Sequence, residues 1–253
     1  MNRISELSHN AELKIITGPD FIDAAADITV APRLLKHTAQ NSLGTFARIY
    51  RPQATVAFTS RDYSTVGFSH AQEQARQLNF TPVLRSPGGR AVAYHEDSVV
   101  LDLVSNDTDP HSLVNERFLA IAEIFVEAFD RLGIKSNIGE VPREYCPGKY
   151  SVISENVKLV GTAQRIMRGG WLLSAFVVVK NIVPVREVLT GVYRELSVDM
   201  DPSTVCDLSA FAPDVSVDSV SQSLVAVFND RFNIADCDLA VDTSGNLQEK
   251  VLA

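Results

Sequence analysis

Apolar residues recur at three- and four-residue spacing through "HSLVNERFLAIAEIFVEAFDRLG", residues 111–133, and the pattern stops at Gly133. That spacing predicts an amphipathic helix ended by a glycine free to take the left-handed C-cap conformation. Helical spacing also marks "FIDAAADITVAPRLLKHTAQ" (21–40), where Pro32 either starts or kinks the helix, and residues 69–79, 183–197 and 216–233. Ser69 is the expected N-cap of the second of these. Shorter runs rich in β-branched and aromatic residues predict strands at 11–18, 44–52, 55–60, 150–154, 157–167 and 171–180, with two or three more inside 81–104. The turns at Glu155-Asn156 and Gly169-Gly170 are short enough for antiparallel hairpins. Strands come in runs and the helices do not strictly alternate with them. The expected fold is therefore α+β, a mixed or antiparallel β-sheet with helices packed on one side of it. No internal repeat or low-complexity tract interrupts the chain.

Composition narrows the class. With 253 residues, 45% hydrophobic and 21% charged, the chain can bury a substantial core. A net charge of −8 argues against nucleic acid or an anionic membrane surface as a partner. The N-terminal "MNRISELSHNAELKIITG" lacks the apolar stretch of a secretory signal, and no run approaches the roughly 18 apolar residues of a membrane span. A cytoplasmic protein is expected. Cys146, Cys206 and Cys237 are odd in number and without CxxC spacing, so free thiols are expected, with no disulfide framework and no metal site.

Two stretches invite chemistry. In "VLRSPGGRAVAY" adjacent glycines let a backbone pass close to a ligand while Arg85 and Arg90 flank it with positive charge, a setting for an acyl carbonyl or a phosphate. The same Pro-Gly-Gly also reads as an ordinary turn. It lacks the lysine and Ser/Thr of a P-loop and the spacing of a dinucleotide fingerprint. In "EYCPGKYSVISENVKLVGTAQRI", Cys146 sits beside Pro147-Gly148 in a turn, twelve positions before Lys158. A nearby ammonium favours a thiolate, the form that attacks carbonyl carbon. Taken singly, the cysteine equally suits a small buried apolar site, and the lysine a solvent-facing strand position. His95, next to Glu96-Asp97, reads as a surface histidine in a turn, and Trp171 and Phe176 read as core. No HExxH or GxSxG is present, so metal hydrolysis and a serine triad have little support.

Together the two stretches resemble the lipoate-protein ligase and octanoyltransferase family, within the biotin/lipoate ligase superfamily. Its Arg-x-x-Gly-Gly-x-Ala-Val element is matched by Arg85, Gly88, Gly89, Arg90, Ala91 and Val92. Its Lys-x-x-Gly-x-Ala-Gln-Arg element is matched by Lys158, Gly161, Thr162, Ala163, Gln164 and Arg165. Both occur in order, about seventy residues apart, in a resemblance covering roughly residues 20 to 185. The "Cys-Pro-Gly-Lys-Tyr" at 146–150 looks most like the cysteine-dependent octanoyl amidotransferases that act with the glycine cleavage H protein. Three departures are visible: Ser174-Ala175 stands where many relatives have His-Gly, Pro87 where Ser or Thr is common, and Tyr94 where ligases often have histidine.

The resemblance implies a biotin/lipoate ligase-like catalytic domain over 1–195 and a C-terminal extension or cap over 196–253. It implies an acyltransferase moving an octanoyl or lipoyl group onto the acceptor lysine of lipoyl domains, as in the glycine cleavage H protein and the acyltransferase subunits of 2-oxoacid dehydrogenases. Cys146 would carry the acyl group as a thioester, and Lys158 would favour the thiolate and donate to the carbonyl oxygen. Arg85, Gly88, Gly89, Arg90, Ala91, Val92, Leu159, Gly161, Thr162 and Ala163 would bind substrate, with Val92 and Leu159 as candidate walls of an apolar acyl tunnel. No cofactor is required on this reading. The alternatives are an ATP-dependent lipoate-protein ligase, which would need ATP and magnesium, and a binding protein for octanoate or lipoyl domains without turnover.

Overall fold

A computed structural model describes residues 12–250. Residues 1–11, with most of the stretch searched for a targeting signal, and residues 251–253 lie outside the described residues. In chain order the elements begin β1 (Glu12–Ile15), α1 (Ala24–Asp27), α2 (Val30–Asn41), β2 (Thr45–Tyr50), β3 (Thr55–Phe58), α3 (Ser60–Tyr63) and α4 (Phe68–Gln77). They continue through β4 (Thr81–Leu84), β5 (Val92–Tyr94), β6 (Ser98–Asn106), α5 (Val114–Arg131), β7 (Asn137–Gly139), β8 (Ser151–Ser154), β9 (Val157–Met167) and β10 (Gly170–Val178). The rest are α6 (Ile182–Glu195), α7 (Val217–Arg231), β11 (Asn233–Ala235), β12 (Leu239–Val241) and β13 (Leu247–Glu249).

An eight-stranded mixed sheet in the order β11-β1-β2-β6-β10-β9-β8-β7 forms the frame, with β1 parallel to both neighbours and the other pairs antiparallel. A smaller sheet, β4-β3-β5, lies against one face, and β12 pairs with β13. The fold is α+β, as the alternation of runs implied. Helices cover both faces of the sheet, however, and not one. The cause is in the central strands: β6 and β10 carry large apolar side chains on both sides and are buried almost throughout, so neither face can be left to water. Leu173, Ala175 and Val177 of β10 pack with Phe125 and Phe129 of α5 and Leu224 and Phe228 of α7. On the opposite face Phe176 and Val178 pack with the small sheet and α6, and Leu172 with Leu34 and Leu35 of α2.

Pro32 falls in the first turn of α2, where its missing N–H breaks no helical bond. Gly133 follows α5 at φ +76, the left-handed C-terminal position expected for it. Ser69 is not a cap: α4 begins at Phe68 with Gly67 before it. The expected strand 55–60 stops at Phe58, because Thr59 caps α3 through Asp62 in a reciprocal box.

The segment expected as an extension, as far as residue 250, contributes to the same frame. Val205 bridges to Lys158, the Asp201 N–H donates to the Arg143 carbonyl at 2.8 Å, α7 packs on α5, and β11 pairs with β1. Among the described residues no helix is long and apolar enough to cross a membrane.

Candidate active site

Three segments converge on Cys146. The loop 85–91 joins β4 to β5, the turn carrying Cys146 precedes β8, and β9 brings Lys158. Cys146 has φ +42, a left-handed conformation that costs a non-glycine residue on the order of 1 kcal/mol. Its backbone is pinned from both sides. The Cys146 N–H donates to the Tyr193 hydroxyl at 2.7 Å, and its carbonyl accepts from Lys158 Nζ at 2.8 Å.

The sulfur is half-buried and faces donors. The Arg90 N–H points at Sγ from 3.3 Å, and Arg85 Nη2 lies 3.8 Å away. Gly89 makes this approach possible: at φ +99 it takes a conformation open to glycine, and a Cβ built there would stand 2.7 Å from the sulfur. Arg85 also donates to the Gly88 and Arg90 carbonyls at 2.9 and 3.1 Å, and Arg90 pairs with buried Asp62 at 3.3 Å, so the donor loop is fixed. The other two thiols have the opposite polarity. Cys206 Sγ donates to the Asp207 carbonyl and Cys237 Sγ to the Leu239 carbonyl, contacts that suit a neutral thiol, and burial raises the Cys206 pKa further. Of the three, Cys146 alone has hydrogen-bond donors aimed at its sulfur.

Lys158 is 1% exposed, so the strand lysine is not solvent-facing. A register shift between β8 and β9 explains its aim. Val152 pairs with Val160 but Ile153 with Lys158, which leaves Leu159 as an extra residue in β9. Such a bulge breaks the alternation: Leu159 and Val160 both enter the core under α5, and Lys158 turns to the other face. Leu159 is thereby removed from the acyl pocket to which it had been assigned. Lys158 Nζ does not bond the sulfur. It donates to the Tyr145 and Cys146 carbonyls at 3.0 and 2.8 Å, lies 3.4 Å from Glu144 Oε1, and sits 4.7 Å from the centre of the Tyr145 ring. Burial lowers its pKa, and Glu144 and Cys146 oppose that. Gly161 leaves room for this side chain: a Cβ there would come within 3.3 Å of Lys158 Cε.

A small cavity of ≈ 40 Å³ opens beside Arg85 and Pro87. Val92 and Tyr94 of β5 line one side, and Phe176, Ser174 and Leu172 of β10 another. Phe176, expected only as core, is thus also a wall, while Trp171 is core with Arg117 over its ring. Three residues that sequence reasoning passed over, Asp27, Tyr50 and Asp102, add a polar strip to this lining. Arg48 and Ser174 flank Asp102 in register on β2 and β10, and Arg48 pairs with Asp27 at 2.6 Å. Asp102 accepts from the Ser174 hydroxyl, and burial pushes its carboxyl up to about 6.

The remaining expected positions take supporting places. Gly88 has open space around its Cα, Ala91 offers its carbonyl to Tyr193, and Thr162 and Ala163 pair with Ala175 and Ser174 on β10. His95 is buried, with Nε2 against the Asn181 carbonyl and Nδ1 accepting from the Asp97 N–H, so it closes a turn. Glu144 and Tyr193 were missed. Nothing in "EYC" marks its acid as buried, and Tyr193 falls on the apolar stripe of α6, where it reads as core.

The donor-faced Cys146 and a largely apolar cavity thus share Arg85, on a mixed sheet covered on both sides. Residues 23–229 match the lipoyl protein ligase A/B catalytic domain, and the chain belongs to that family. It is similar to the octanoyl-GcvH:protein N-octanoyltransferase of Geobacillus kaustophilus, at 24% identity over 179 residues, 71% of this chain and 63% of that protein. To the enzyme of that name from Anoxybacillus flavithermus it is 24% identical over 186 residues, 70% of this chain and 65% of that one. The chain spans less than two thirds of the length of these curated relatives. Among solved structures it is similar to a lipoate-protein ligase A bound with ATP, with TM-score 0.68 and 18% identity over 92% of this chain and 91% of that one. It is also similar to the bipartite lipoate protein ligase of Thermoplasma acidophilum described with its E2 lipoyl domain, with TM-score 0.67 and 16% identity over 92% and 88%. Likeness at those identities speaks to the fold.

Proposed function

We propose that the protein is an acyltransferase of protein lipoylation that moves an octanoyl or lipoyl group between lipoyl-domain lysines through a thioester on Cys146. The observation that carries this reading is the polarity around the sulfur: Arg90 N–H and Arg85 both point at it, while Cys206 and Cys237 donate to carbonyls. In the first half-reaction the Cys146 thiolate attacks the carbonyl carbon of an octanoyl-lysine amide on the donor. The S–C bond forms, the C–N bond breaks, and the departing lysine amine takes up a proton. In the second, the amine of an acceptor lysine attacks the thioester, the C–S bond breaks, the amine gives up a proton, and the thiolate returns. The Arg90 N–H and the Arg85 guanidinium are donors beside the developing oxyanion, and Lys158 holds the loop that presents the sulfur.

The named relatives work from octanoylated GcvH, and the donor proposed here is a glycine cleavage H protein of that kind. The acceptor proposed is another lipoyl domain, such as that of a 2-oxoacid dehydrogenase acyltransferase subunit. On this reading neither nucleotide nor metal takes part.

Intact-mass measurement after mixing with octanoylated H protein is the test. An octanoyl increment on the wild type that is absent from Cys146→Ser, and that passes to an added lipoyl domain, is the expected result. An increment on the lipoyl domain that requires ATP and survives Cys146→Ser assigns the ATP-dependent ligase chemistry instead. Binding without any covalent product leaves only a carrier or sensor role.

A further inference from the structure

Glu144 is 1% exposed and lies two residues before the cysteine. Its Oε1 does three things at once. It accepts from the Gly148 N–H at 2.9 Å and from the Ser151 hydroxyl at 2.9 Å, closing the turn that carries Cys146, and it faces Lys158 Nζ at 3.4 Å. Its Oε2 is buried without a hydrogen-bond partner. A carboxylate oxygen left bare in the interior is costly. The loop ties do not account for that cost, because a glutamine carbonyl would accept the same two hydrogen bonds. What glutamine cannot supply is negative charge, and the group facing that charge is Lys158.

We propose that Glu144 is a positioning residue of this site: its buried charge keeps Lys158 in the ammonium form, which in turn holds the Cys146 carbonyl and the field at the sulfur. The inference rests on Cys146 being the reacting atom, as proposed above. Every charged group facing Lys158 bears on it. Glu144 and the Cys146 sulfur favour its ammonium, Arg85 disfavours it, and burial disfavours it most. The Tyr145 ring face adds attraction at 4.7 Å. Of these, Glu144 is the nearest full negative charge, forming an ion pair in which both partners are all but inaccessible. Removing one member of such a pair leaves the other charge uncompensated, and a lysine then relieves the strain by losing its proton.

The test follows Lys158 and Cys146 separately. The Lys158 Cε resonance, recorded with carbon-labelled lysine and assigned by its loss in Lys158→Arg, is titrated in the wild type, in Glu144→Gln and in Glu144→Asp. Relative to the wild type, the midpoint is expected to fall by at least about one pH unit in Glu144→Gln and to be largely restored in Glu144→Asp. The second readout is the rate of Cys146 alkylation by iodoacetamide, resolved by peptide mass so that Cys206 and Cys237 do not contribute. Glu144 is itself a negative charge near the sulfur, so its removal acting alone would speed thiolate formation. Alkylation in Glu144→Gln is instead expected to slow several-fold above the Lys158 midpoint, and to recover when Lys158→Arg supplies a permanent charge.

A Lys158 midpoint that does not move in Glu144→Gln, or an alkylation loss equal at every pH, overturns the proposal. So does a neutral Lys158 at pH 7 in the wild type, a measurement that stands even if Glu144→Gln does not fold. Iodoacetamide needs no acyl donor. A failure of octanoyl loading with these titrations intact therefore removes the transferase reading and leaves the role of Glu144 in place.

Discussion

The Tyr193 hydroxyl accepts the Cys146 N–H at 2.7 Å and donates to the Ala91 carbonyl at 3.0 Å. One buried phenol thereby ties the sulfur's loop to the glycine loop, with α6 as the rigid support. Burial holds its pKa well above 10, so the hydroxyl keeps its proton at any working pH. Tyr193→Phe leaves the Cys146 N–H and the Ala91 carbonyl unpaired. We expect a loss of about 1–3 kcal/mol in urea unfolding and a slower alkylation of Cys146, with no change at Cys237. Unchanged alkylation in a destabilised variant would show that the phenol supports the fold and not the sulfur.

Adjacent glycines should respond in opposite ways. Gly89 combines φ +99 with a Cβ position 2.7 Å from Cys146 Sγ, whereas nothing lies within 4 Å of a Cβ at Gly88. Gly89→Ala must displace the sulfur or the loop, and its Cys146 acylation is expected to fall at least tenfold, equivalent to about 1.4 kcal/mol in the barrier. Gly88→Ala is expected to retain activity within about twofold, since no contact opposes it. Equal rates of octanoyl loading in the two variants would mean that the close approach of Gly89 to the sulfur has no part in the chemistry.

Chain length should be set along β10. Phe176 contacts Tyr145 beside the reactive loop, and Leu172 lines the same cavity four residues away, a span of about 13 Å along an extended strand. That distance is on the scale of an eight-carbon chain. Leu172→Phe fills the far end. Octanoyl transfer is expected to drop while butyryl transfer from the matching donor persists, giving a reversal in the ratio of kcat/KM for the two. Overpacking costs about 1–3 kcal/mol, so unfolding is measured alongside. A uniform loss for both chain lengths would place the acyl group elsewhere.

The frame was legible because its signals are local. The apolar stripe of α5 and the two short turns around β9 declare themselves in sequence, and helix and hairpins stand where that pattern put them. Helices cover both faces, and not the one expected, because β6 and β10 are buried along almost their whole length on either side, and that burial includes polar Asp102, which the alternation pattern alone does not declare. The site was less legible. Lys158 stands at the Cys146 loop as expected, but Leu159 faces the core under α5 because one extra residue in β9 breaks the alternation, and no residue type marks a bulge of this kind. Arg85 and Arg90 were expected to hold substrate; what the geometry adds is that they supply the donors to the sulfur. Glu144, Tyr193 and Asp102 escaped notice because a buried acid or phenol looks like an exposed one until the partner across the fold is known.

Asp102 gives the clearest pH dependence. It is 4% exposed between Arg48 and Ser174, and desolvation lifts its carboxyl from 3.8 to about 6, against the pull of Ser174 and Arg48. A folded-state value above the unfolded one means the native protein binds the proton more tightly. Its contribution to stability is complete below about pH 4 and is lost as pH rises through 6. A shift of two units corresponds to on the order of 3 kcal/mol, present at pH 4 and gone by pH 7.5. Asp102→Asn keeps an acceptor for the Ser174 hydroxyl and leaves Arg48 with its Asp27 partner at 2.6 Å, but has no proton to lose. Relative to the wild type, the variant should therefore gain about 1–3 kcal/mol on moving from pH 4.5 to pH 7.5, whatever the other carboxylates do to both proteins. Urea unfolding at four or five pH values measures the difference directly. Parallel curves for the two proteins across that range would mean that Asp102 is already ionised at acid pH.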